Sequence, residues 1–103
     1  MRSLFALLLL AGCPPPPRYA VVEVTTPAPL ADAMVAARCG MSSVATRTND
    51  VGRTRLTVHG QASADRCVLT VAKPGYTTVE TTGVELCTSP TACPPVGIHV
   101  EAL

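Results

Sequence analysis

The stretch "TRTNDVGRTRLTV", residues Thr46 to Val58, places a turn between two segments suited to β-strands. Val and Thr fit a pleated, half-buried surface, and both "SVATRT" (Ser43 to Thr48) and "RTRLTVH" (Arg53 to His59) are rich in them. Between them, Asn49 and Asp50 are turn formers, and Gly52 can supply the positive φ that a tight hairpin demands. The stretch therefore predicts two strands separated by a turn.

The same pattern of strand and turn residues recurs on both sides. Outward from that turn lie "YAVVEVTT" (Tyr19 to Thr26), "DAMVAARC" (Asp32 to Cys39), "CVLTVAK" (Cys67 to Lys73), "TTVETTGVEL" (Thr77 to Leu86) and "VGIHVEAL" (Val96 to Leu103), set apart by Pro, Gly, Asn and Asp. No segment carries a helical 3.6-residue stripe longer than two turns, and "PAPLAD" reads as a turn entering a strand. Seven short strands with period-2 alternation predict an all-β fold, a small seven-stranded β-sandwich over residues 19–103. A chain of 103 residues has room for one such core.

Ahead of the strands the composition changes sharply. Arg2 is a short positive region, Leu4 to Leu10 form an apolar run, and Ala11-Gly12 are the small residues of a cleavage site. The apolar run is too short to span a bilayer, which takes ~20 residues. Leu10-Ala11-Gly12-Cys13 resembles the lipobox of bacterial lipoproteins. That resemblance implies that residues 1–12 are a signal peptide removed before Cys13, and that the Cys13 thiol is diacylated with chains such as palmitate. Residues 13–18 would then be the lipidated cysteine and a proline-rich tether, Pro14 to Pro17 favouring extended polyproline II at ~3 Å per residue. The expected address is the bacterial cell envelope. Because Pro14 follows the cysteine where inner-membrane retention favours Asp, the outer membrane is expected over the inner.

With Cys13 assigned to lipid, Cys39, Cys67, Cys87 and Cys93 remain, an even set that reads as two disulfides in an exported domain. Four cysteines allow three pairings. Parity places Cys39 on one face with Val35 and Ala37, and Cys67 on one face with Leu69 and Val71, so both point inward. Cys87 and Cys93 flank the turn-forming "TSPTA" and look like a loop staple. This favours Cys39 with Cys67, a bridge contributing about 3.5 kcal/mol by chain entropy, and Cys87 with Cys93, about 2.5 kcal/mol. Zinc is the competing use of four cysteines, but there is no CxxC pair.

A further resemblance covers nearly all of residues 19–103. Pro29-Leu30-Ala31-Asp32-Ala33 ahead of the second strand, the Thr48 to Leu56 hairpin, and Lys73-Pro74-Gly75-Tyr76 together resemble the carboxypeptidase regulatory-like domain, a transthyretin-like or prealbumin-like sandwich. Thr54 stands where that family prefers an aromatic and Asn49 where it prefers Asp, and the family does not generally carry the four cysteines. The resemblance implies a non-catalytic domain.

The residues agree with that expectation. The net charge is +1, and losing Arg2 from the eight cations leaves seven against seven carboxylates, so an anchor would hold through its acyl chains alone. The cations are scattered without interleaved aromatics, which make up 3% of the chain, so no nucleic-acid partner is expected. His59, His99 and Glu101 would make a weak metal site if the fourth and last strands were neighbours, and outward-facing polar residues if they were not. No cofactor and no catalytic residue are expected. The resulting expectation is a membrane-anchored structural or binding module that contacts an envelope protein or glycan. The alternative is a small metal-dependent enzyme or the accessory subunit of an envelope enzyme.

Overall fold

The computed structural model describes residues 16–59 and 66–103, so the expected signal peptide, Cys13 and the first two prolines lie outside the described residues. The described residues form seven strands and no helix: β1 (Arg18–Thr25), β2 (Met34–Cys39), β3 (Ser42–Arg47), β4 (Arg53–Val58), β5 (Arg66–Ala72), β6 (Val79–Glu85) and β7 (Val96–His99). All seven fall within or against the segments that alternation marks. They make two sheets, ordered β4-β1-β7 and β3-β2-β5-β6. All pairings are antiparallel except β1 with β7, which is parallel.

Alternation decides which side chains the two sheets share. Ala20, Val22 and Val24 of β1, Leu56 and Val58 of β4 and Ile98 of β7 belong to one buried cluster with Val35 and Ala37 of β2, Leu69 and Val71 of β5 and Val84 of β6. Each fully buried Val, Leu or Ile contributes about 1.5–3 kcal/mol of transfer free energy, but the alanines contribute less. No aromatic ring is fully buried among the described residues; Tyr76 packs against the cluster half-exposed. Cross-links therefore matter to this core more than they would to one filled by rings.

Two elements depart from the sequence expectation. The last strand is predicted to run to Leu103 but ends at His99, because the backbone then leaves β1 for the other sheet. Val100 N still donates to Thr25 O at 2.9 Å, after which Thr77 N donates to Glu101 O at 2.8 Å and Leu103 N to Gly75 O at 2.9 Å. The chain end thus joins the two sheets. The second departure concerns the opening stretch, where the expected hairpin is a corner. β3 pairs with β2 in one sheet and β4 with β1 in the other, so residues 48–52 carry the chain across the sandwich. The turn itself is tight: Gly52 N donates to Asn49 O, Asn49 N to Arg53 O, and Asn49 Oδ1 accepts from the amides of Val51 and Arg53.

The corner is bound to the β1–β2 turn by Thr48, the one buried polar residue among the described residues. Its hydroxyl donates to Leu30 O at 2.6 Å and accepts from Ala33 N at 2.9 Å, while its backbone exchanges bonds with Asp32 N and Ala33 O. Replacing Thr48 by Val keeps the shape but leaves two buried backbone groups without partners, each costing about 1–3 kcal/mol. Thr48→Val is expected to lose about 2–4 kcal/mol in urea unfolding, whereas Thr48→Ser, which keeps the hydroxyl, is expected to lose less than about half of that. Equal losses for the two variants would mean that the hydroxyl's two hydrogen bonds are worth no more than the methyl group's packing.

Candidate functional site

The four sandwich cysteines lie in two bonded pairs, Cys39 with Cys67 and Cys87 with Cys93. Cys39 ends β2 and Cys67 lies near the start of β5, one step beyond the register pair Arg38 and Val68. Their Cα atoms are 4.4 Å apart and both side chains are buried, so this bridge fastens two neighbouring strands of one sheet from its inner face. The second bridge closes the loop between β6 and β7. Cys87 exchanges backbone hydrogen bonds with Tyr19 at 2.9 and 2.7 Å, which sets the stapled loop alongside the first residues of β1. Within the loop, Ser89 Oγ accepts from the amides of Thr91 and Ala92, each at 3.4 Å.

That placement creates a groove of about 390 Å³ on the outer face of the three-stranded sheet. Its lining includes Val21 of β1, Arg53 and Arg55 of β4, and Pro90, Thr91 and Pro95 of the stapled loop. Register puts Arg55 opposite Val21 and Arg53 opposite Glu23, so both guanidinium groups emerge on one face. Arg53 is engaged by the carboxylate of Glu23. Arg55 has no carboxylate within ion-pair distance among the described residues. A guanidinium offers a planar fork of donors that matches carboxylate, sulfate or phosphate oxygens. The groove can therefore hold an acidic group, and its proline walls add rigid apolar contact.

A second groove, about 460 Å³, lies between Asp32, Met34, Arg47, Ala72, Lys73 and Thr78. Its charges are already engaged within the fold. Lys73 Nζ donates to Ala31 O at 2.7 Å, and Arg47 and Asp32 face one another at 3.4 Å. The first groove is thus the better provided with donors for a ligand.

The suggested grouping of His59, His99 and Glu101 does not form. β4 and β7 are not neighbours, because β1 runs between them. His59 follows Val58, which pairs with Arg18 at the start of β1, whereas His99 pairs with Thr25 at its end. At ~3.3 Å per residue, those two ends of β1 are about 23 Å apart. Both histidines and Glu101 are exposed, and among the described residues no group of three or more His, Cys, Asp or Glu is arranged to hold a metal. Comparison of the chain with family models, curated proteins and solved structures found no match.

Sequence reasoning did not single out Arg55 or the loop prolines as a group. Parity within β4 would have put Arg53 and Arg55 on one face. What brings Pro90 and Pro95 to that face is the tertiary bridge between Cys87 and Tyr19, which no local pattern announces.

Proposed function

We propose that this protein is a lipid-anchored module of the bacterial cell envelope, whose domain is a transthyretin-like, carboxypeptidase regulatory-like sandwich that binds and does not catalyse. One observation carries the reading: the five cysteines divide into two bonded pairs in the domain and a fifth, Cys13, that ends the lipobox-like Leu10-Ala11-Gly12-Cys13 directly after an apolar run. Disulfides belong to oxidising compartments, which agrees with export. The division of seven strands into sheets of three and four, with Gly52 and Gly75 both at positive φ in the motif turns, supports the family assignment. The partner is an envelope protein or glycan that presents an acidic group to Arg55 in the groove beside the stapled loop. Pro14 favours the outer membrane as the location.

Replacing Cys13 by Ser tests the anchor. The unaltered chain is expected to incorporate labelled fatty acid and to partition into detergent. The variant is expected to lose the label. Equal label in the two, or absence of label from the unaltered chain, would overturn the reading.

A further inference from the structure

The anchor, if Cys13 carries it, leaves open how the sandwich sits on the membrane. β1 begins at Arg18, five residues after Cys13, and a chain of that length reaches at most ~18 Å. One end of the sandwich is therefore held within that distance of the acyl chains. The topology defines what this end displays. β1 starts there, β2 ends there at Cys39, β3 starts there at Ser42, β4 ends there at Val58, and β5 starts there at Arg66. A bond from Ser42 Oγ to His59 O, 3.4 Å, links the two sheets at this end.

The tip of the β2–β3 turn at this end is Met41, whose exposure is 97%. The turn is held by the Cys39–Cys67 bridge at its base and by Gly40 at φ 61. A long, flexible apolar side chain wholly in water gains from any apolar surface that it meets. At the same end, Arg18 and Arg66 are the first residues of β1 and β5, and Arg38 is the last but one of β2. Glu85, opposite Arg66 in register, is the carboxylate at this end among the described residues. Asp32, Asp50, Glu80 and Glu101 lie toward the other end. An apolar tip among cations, at the end tethered to lipid, has the chemistry of an anionic bilayer surface, whose headgroups attract arginine and whose acyl boundary accepts methionine.

We propose that this end of the sandwich docks on anionic lipid, with Met41 inserted at the acyl boundary and Arg18, Arg38 and Arg66 on the headgroups. The inference rests on the anchored reading for its geometry: a short tether raises the local concentration of the surface, so a contact of modest affinity stays occupied. Docking fixes the orientation of the domain. The corner at Asn49 to Gly52 then points away from the membrane, and the groove beside Arg55 opens sideways.

The chain contains no Trp, so Met41→Trp provides a single fluorescent reporter, and Val51→Trp places one at the opposite end, where Val51 is 64% exposed. Each lipidated variant is reconstituted in vesicles of phosphatidylcholine with and without phosphatidylglycerol, with brominated acyl chains as quencher. The Met41→Trp signal is expected to be quenched in the anionic vesicles and relieved by high salt, while Val51→Trp stays unquenched. Adding Arg38→Glu and Arg66→Glu to the unlipidated Cys13→Ser, Met41→Trp chain is expected to weaken its binding to the anionic vesicles about tenfold to a hundredfold. Equal quenching at both positions, or a signal that follows protein concentration and not lipid charge, as a second copy on the tip would give, overturns the proposal. Should Cys13 carry no acyl chain, the anchored reading falls on its own, and the unlipidated chain on the same vesicles still decides the docking.

Discussion

Gly52→Ala is expected to destabilise the domain by about 3 kcal/mol, a fall of roughly 12–24 °C in melting temperature for a domain of this size. Two penalties combine. Gly52 has φ +74, a conformation that costs a residue with a Cβ about 1–2 kcal/mol. The Cβ itself would lie 2.6 Å from Val24 O and 2.9 Å from Leu30 N, and those two atoms are partners in a 2.9 Å hydrogen bond. Because Gly52 O also accepts from Val24 N at 2.7 Å, the new methyl group cannot be relieved by moving the corner alone. Breaking one such buried pair costs about 1–3 kcal/mol. Gly75 is the control, since it has φ +90 but nothing within 4 Å of a built Cβ. Gly75→Ala is expected to lose about 1 kcal/mol, and thermal melts showing the two variants equal would mean that crowding at the corner contributes nothing.

The second large effect is removal of the Cys39–Cys67 bridge. The loop that it closes, with a sequence separation of 28, gives about 3.5 kcal/mol by chain entropy, and both sites are buried, so Ala at each also leaves unfilled space. Cys87 and Cys93 are separated by only 6 positions, worth about 2.5 kcal/mol, and both are partly exposed. The double variant Cys39→Ala, Cys67→Ala is expected to lose about 4 kcal/mol or more in denaturant titration, the double variant at 87 and 93 about 2 kcal/mol. The latter should keep the sheet intact, because Tyr19 and Cys87 still exchange their backbone bonds. A reversed order would mean that the stapled loop, not the inner face of the four-stranded sheet, limits stability.

Much of the architecture was readable along the chain because its strands are short and one face of most of them is buried. The alternation Val35, Ala37, Cys39 and again Cys67, Leu69, Val71 states which side faces the core, and a slip of one residue would bury Arg38 and Thr70 instead. What alternation cannot state is which strands are neighbours. The turn from Asn49 to Gly52 has the same local chemistry whether its strands pair or part, and they part because β1 and β2 claim β4 and β3 in different sheets. The histidines illustrate the same limit, since their distance depends on where β1 lies. Thr48 was invisible for another reason. Its role comes from a hydroxyl placed between Leu30 O and Ala33 N, and nothing in a chain rich in threonine distinguishes it from threonines that face water.

The parallel pairing of β1 with β7 sets the order of events in folding. Val22 meets Val96 and Thr25 meets His99, contacts across more than two thirds of the chain, so the first strand keeps an open edge until the last one arrives. Closing so long a loop is slow, because its entropy cost precedes any reward from contacts. A partly synthesised chain therefore has no route to the finished sandwich, and one edge of β1 stays unpaired until the residues of β7 have been made.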